Sequence, residues 1–199
     1  MSSRIQVYEA SSFLAHDSPD MESRRSFLGK SGLMLSGAAV ALLAGRDVLA
    51  KGSKSAGSDV NVLNSALGAE LEAIAAYQVG AESGLLQKPV LNLAVTFQGH
   101  HKEHADVLAK TIIKLGGQPV SAKAKYTFPV ETLKTQADVL RFAAMLEKGA
   151  VSAYLGAVPL FDNRDLAKAA ASILGDEAMH WAVLRNALGE APVPVAFMS

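Results

Sequence analysis

Four stretches of the chain carry apolar residues at helical rather than alternating spacing. In the first, Leu63, Leu67, Ile74 and Tyr77 share one face. Ser58 or Asp59 suits an N-cap there, and Gly84 suits the stop beyond Glu82. A second stripe opens behind Pro89 and reads Val90, Ala94, Phe97, His101, His104, Leu108, Ile112 and Leu115, before Gly116 and Gly117 end it. A third, over 136–157, places Leu140, Ala143, Glu147, Ala150, Val151 and Tyr154 together and stops at Pro159. A fourth, over 164–188, carries Leu166, Ala170, Ile173, Glu177, His180 and Leu184, with Gly189 beyond it. No segment alternates like a strand. The connection 117–135, with Pro119 and Pro129, is far longer than two antiparallel neighbours need. The pattern predicts an all-α four-helix bundle over 59–188, with one long crossover between helices 2 and 3.

These stripes are interrupted by polar residues at their centres. Glu70, Glu147 and Glu177 each lie mid-stripe, whereas Glu72, Glu82, Glu103 and Glu190 have the ordinary fate of glutamate, facing water. A buried carboxylate is costly unless a proton or cation neutralises it. Lysine and arginine are absent from the stripes, so a bound cation is the simplest neutraliser. The histidines point the same way: His101 with His104, and Glu177 with His180, stand at i, i+3 and can face one metal from one side of a helix. His100 falls on the flank, where a solvent-facing or supporting role suits it. The frame Glu70, Ala73, Tyr77 returns as Glu147, Ala150, Tyr154, as if a helix pair had been duplicated. Tyr77 and Tyr154 read either as core residues or as hydroxyls that bond ligand carboxylates. One glutamate from each of two helices, with Glu-x-x-His from the other two, is how bundles build carboxylate-bridged two-metal sites.

The 199 residues allow one domain with an appendage. Ser23-Arg24-Arg25-Ser26-Phe27-Leu28 precedes an apolar run from Gly32 to Gly45, and Val48-Leu49-Ala50 offers a small-residue cleavage end. The run is shorter than the roughly 20 residues that span a bilayer, so an uncleaved anchor is the weaker reading. Residues 1–50 resemble a twin-arginine (Tat) signal peptide. This implies Tat export machinery as a partner, a periplasmic destination and no stable membrane span after cleavage. Residues 1–20 are polar for a signal, and Met21 makes the better start. Residues 51–58 read as a linker and 189–199 as a tail. The chain has no cysteine, which excludes disulfides, thiolate sites and iron–sulfur clusters. Its basic and acidic residues balance, so nothing recommends a nucleic-acid partner. A homodimer through bundle faces is compatible with the sequence, but no exposed stripe demands it.

The segment from Leu63 to Tyr77, Leu-Asn-Ser-Ala-Leu-Gly-Ala-Glu-Leu-Glu-Ala-Ile-Ala-Ala-Tyr, resembles the first helix of bacterioferritin. His104-Ala105-Asp106 is similar to the continuation of that family's second-helix motif. On these residues the chain resembles the ferritin-like superfamily, bacterioferritin and rubrerythrin in particular, and its exported relatives. The resemblance implies two irons, with Glu70 and Glu147 as terminal ligands, His104 and His180 as one imidazole per metal, and Glu177 as a bridge. The second bridge should be a glutamate where this chain has His101. A neutral imidazole does not bridge as a carboxylate does, so the second ion should bind more weakly or be absent. Three histidines and three glutamates also suit manganese, zinc or copper.

Three functions follow from this reading. The first is an exported metal centre reacting with oxygen or peroxide, an oxidoreductase of ferroxidase or peroxidase type. The second is a periplasmic metal-binding protein without turnover. The third is a ferritin-like scaffold with a decayed site, acting in stress protection or protein interaction.

Overall fold

The structure is a computed structural model, and it describes residues 56–198. The twin-arginine segment, the Met21 start and most of the expected linker lie outside the described residues. Within them are four long helices: α1 (Ala56–Glu82), α2 (Lys88–Lys114), α3 (Gln136–Ala157) and α4 (Arg164–Ala187). Single 3-10 turns at Val130–Thr132 and Val158–Leu160 are the only other regular elements described. None of the described helices is long and apolar enough to cross a membrane.

The helix ends follow local chemistry. The Thr135 hydroxyl accepts from the Asp138 backbone N–H while the Asp138 carboxylate accepts from Thr135, a capping box that starts α3. Asn163 caps α4 by accepting from the backbone N–H groups of Asp165 and Leu166. Pro89 sits in the first turn of α2, where no N–H is required of it. Gly84 and Gly116, both at positive φ, close α1 and α2 as the sequence predicts.

Two details differ from the sequence reading. Helix α1 begins at Ala56, so Ser58 belongs to the helix and not to the linker. Asp59 is no cap either. It is buried, and its carboxylate accepts from the backbone N–H groups of Asp162 and Asn163, in the turn between α3 and α4. A long-range pair of donors won over a local cap because that turn has N–H groups to satisfy.

The topology follows from which residues meet. Along α1, Gly80 lies against Val139, Tyr77 against Glu147 and Glu70 against Tyr154, so α1 and α3 run in opposite directions. Gln98 donates to the Ile74 carbonyl and Gly117 lies against Val60, so α2 also opposes α1. Helices α2 and α3 are therefore parallel, and the connection 115–135 must travel the length of the bundle. Asn64 on α1 holds its start, donating to the Gln118 carbonyl and accepting from the Val120 N–H.

Two apolar clusters fill the interior. Leu63, Leu67, Leu108, Ile112 and Ile173 anchor one; Phe97, Leu140, Trp181 and Leu184 anchor the other, with Met198 of the tail packed against it. Between them lies a band of buried polar side chains, where the centre is built.

Candidate metal centre

Each of the four helices contributes to this band: Glu70 from α1, His101 and His104 from α2, Glu147 from α3, Glu177 and His180 from α4. Five of the six are almost completely buried, and only His104 keeps modest exposure. Glu72 departs from expectation, since it is half-buried and its Oε2 is shielded without a hydrogen-bond partner. Glu82, Glu103 and Glu190 face water as expected.

The six residues form two half-sites related by the internal duplication. In one, His104 Nδ1 lies 3.2 Å from Glu177 Oε1 and 3.6 Å from Glu70 Oε1. In the other, His180 Nδ1 lies 3.5 Å from both Glu177 Oε2 and Glu147 Oε2. Glu177 thus turns one oxygen to each half-site. His101 does the same with its ring: Nδ1 is 2.8 Å from Glu70 Oε2 and Nε2 is 3.3 Å from Glu147 Oε1. It stands where the duplication calls for the partner of Glu177.

The tyrosines tie the halves together reciprocally. Tyr154 donates to Glu70 Oε1 at 2.5 Å, and Tyr77 donates to Glu147 Oε1 through a short contact. Each tyrosine therefore orients the glutamate of the other repeat. Both alternatives left open by the sequence are present together: the hydroxyls bond carboxylates while the rings pack in the two apolar clusters. Burial, and then the facing glutamate, pushes both phenols well above their ordinary pKa, so they remain donors.

The remaining donor atoms are telling. Both oxygens of Glu177, Glu147 Oε2, and the Nδ1 atoms of His104 and His180 are buried without an aligned hydrogen-bond partner. Buried polar atoms are rarely left so, and these converge on two common points. One ligand atom from each of Glu70, His101, His104 and Glu177 falls within 4.8 Å of the others, as does one from each of His101, Glu147, Glu177 and His180. The residues fit a pair of metal ions: orphaned atoms point inward, and the nitrogen and oxygen donors suit divalent ions.

The cluster also has its own electrostatics. Burial lowers the His101 pKa, but Glu147 and Glu70 outweigh it and push it up to about 11. Burial is likewise overcome at His104, by Glu177 and Glu70, and at His180, by Glu147 and Glu177, each reaching about 9. For Glu70 and Glu147, burial raises the pKa, yet the imidazoles hold both below the ordinary carboxylate range. Glu177 is raised by burial, with the neighbouring Glu147 adding to the shift. Without a cation, three imidazolium rings can therefore balance the carboxylates. Protonated histidines are thus an internal alternative to the bound cation that the sequence suggests as the simplest neutraliser.

Two residues beyond the predicted six reach the centre. His100 Nδ1 lies 2.8 Å from His180 Nε2 and 3.2 Å from Asp176 Oδ2. Asp176 Oδ2 also lies 3.2 Å from His180 Nε2 and 3.4 Å from His104 Nε2. The sequence carried a signal for Asp176, which stands at i, i+4 from His180 and so shares its face.

The comparisons with known proteins agree with this architecture. A crystal structure of a conserved hypothetical protein from Mycobacterium tuberculosis is 26% identical, covers 72% of this chain and 99% of its own, and superposes with a TM-score of 0.62. The bacterioferritin-related protein of Bacteroides fragilis, described as a dodecameric thioferritin, is 24% identical over 72% of this chain and 93% of its own, with a TM-score of 0.59. At that identity the second likeness speaks for the fold alone. No curated protein matches the chain. The model of the ferritin-like domain matches residues 58–190, which takes in the four helices of the bundle. The chain belongs to the ferritin-like domain family.

Proposed function

We propose that the protein is an exported metal-binding protein whose centre reacts with oxygen or peroxide. Glu70, His104 and Glu177 would hold one ion and Glu147, Glu177 and His180 the other, with His101 able to complete only one of the two sets. The observation that carries this reading is the set of orphaned inward atoms on Glu177, Glu147, His104 and His180. Redox-active ions there, iron first and manganese or copper next, would supply the electrons that reduce the oxidant.

The chain's own residues set the terms. Tyr77 and Tyr154 hold Glu147 and Glu70 in place, so the carboxylates need no reorganisation when a cation arrives. Phe97 stacks on the His180 ring at 4.0 Å between centroids and fixes its plane. His101 is an imidazolium in the metal-free centre, and on losing one proton it offers a lone pair to one ion only, so the other ion keeps three protein ligands and binds more weakly. Multiple turnovers of oxygen or peroxide by reduced, iron-loaded protein are expected; one stoichiometric oxidation and no more would refute the catalytic reading.

A second reading is favoured by the self-neutralising cluster, which lets the bundle stand without metal. It is a periplasmic protein that binds or buffers one ion without turnover. Zinc suits that role, since it has no redox chemistry. Export itself is proposed from Arg24-Arg25 and the apolar run behind them. Replacing both arginines by lysine should leave precursor in the cytoplasm; normal processing of that variant would count against the twin-arginine route.

A further inference from the structure

On the side of the centre that opens to solvent, three donors meet that the two half-sites do not use. His100 Nδ1, Asp176 Oδ2 and His180 Nε2 form a triangle with edges of 2.8, 3.2 and 3.2 Å. We propose that this triangle is a separate, outer cation site, taking a divalent ion of borderline softness such as zinc, copper(II) or iron(II).

Size is the first argument. Nitrogen and oxygen donors held about 2.0–2.2 Å from one ion stand roughly 3 Å apart. Charge is the second. The Asp176 carboxylate lies within 3.4 Å of three ring nitrogens, on His100, His104 and His180, and among the described residues no lysine or arginine pairs with it. The His100 and His180 rings meet head-on, with centroids 5.1 Å apart, so an ion seated above the plane of the three atoms requires the half-exposed His100 ring to turn towards it. An aspartate that merely orients His104 and His180 accounts for its contacts with those rings, but not for the approach of His100.

Access is the third argument. The His100 side chain is 40% exposed and Asp176 24%, whereas Glu177 is fully enclosed. An arriving ion meets this triad before the interior. His180 belongs to both places, with Nε2 in the triangle and Nδ1 facing Glu147 and Glu177. The outer site is thus positioned to collect an ion and pass it to the nearer half-site.

The test separates this site from the inner centre. Glu70→Gln with Glu147→Gln removes one carboxylate from each half-site and leaves the triangle intact. Calorimetry with zinc should show one ion bound per chain in that background, with affinity falling about tenfold or more when His100→Ala is added, and again with Asp176→Asn. Copper(II) bound there should show electron-spin coupling to two imidazole nitrogens, reduced to one by His100→Ala. Zinc affinity and copper spectrum unchanged by both outer substitutions would overturn the proposal, as would no zinc binding in the double variant. If zinc binding to the parent depends on His100 but not on Glu70 and Glu147, the outer site stands and the inner reading falls.

Discussion

At the scale of single residues, the proposed metal centre is a set of donor atoms for which a cation must compete with protons. His104 and His180 have pKa values near 9 without metal, so both rings are charged at neutral pH. Binding an ion at either Nδ1 must expel a proton. The sign is then fixed: affinity for zinc should rise with pH throughout the range below about 9, and flatten above it for sites using only these rings. Where His101 is also a ligand, the rise should continue towards about 11. Calorimetry in buffers of different ionisation enthalpy counts the released protons, and a pH-independent affinity would show that these imidazoles are not ligands. The six residues that interrupt apolar stripes in the sequence come together in one buried band. His100 reads in the sequence only as a flank residue with a solvent-facing or supporting role, and Asp176 shows only its i, i+4 spacing from His180, because a half-exposed position looks like any solvated face until a neighbouring helix is placed against it.

At the scale of elements, the helices were legible from periodicity and their stops from Gly84, Gly116 and Pro159. The start of α1 was not. Asp59 looks like an N-cap in sequence, but its partners, the N–H groups of Asp162 and Asn163, lie more than a hundred positions away and become neighbours only in the bundle. Asp59 therefore acts as a brace between the start of α1 and the turn that leads into α4. Asp59→Ala should leave two backbone donors without an acceptor and cost about 2 kcal/mol, read as a lowered thermal midpoint with little change in helix content. An unchanged midpoint would show that water replaces the carboxylate at no cost. Gly117 illustrates the same limit. A Cβ there would meet Val60 Cγ1 at 2.6 Å, so a residue that reads as a helix stop is also fixed by close packing against α1.

At the scale of the whole molecule, the duplication explains why the site is symmetric where it is and asymmetric where it is not. Each repeat supplies a glutamate, a tyrosine and a histidine, and the tyrosines cross over to hold the opposite glutamates. These two contacts tie α1 to α3 in one register. The one break in symmetry is His101 opposite Glu177. In the metal-free protein, that imidazolium does part of the work of a bound cation, which stabilises the centre and weakens its hold on a second ion.

The most direct test of this account is metal content after anaerobic loading with ferrous iron, comparing the parent with His101→Glu. The account predicts that the parent holds one ion tightly and a second weakly, and that the variant holds both tightly, because a second carboxylate bridge replaces a charged ring. Equal loading of parent and variant, or no tightly held ion in either, would contradict it.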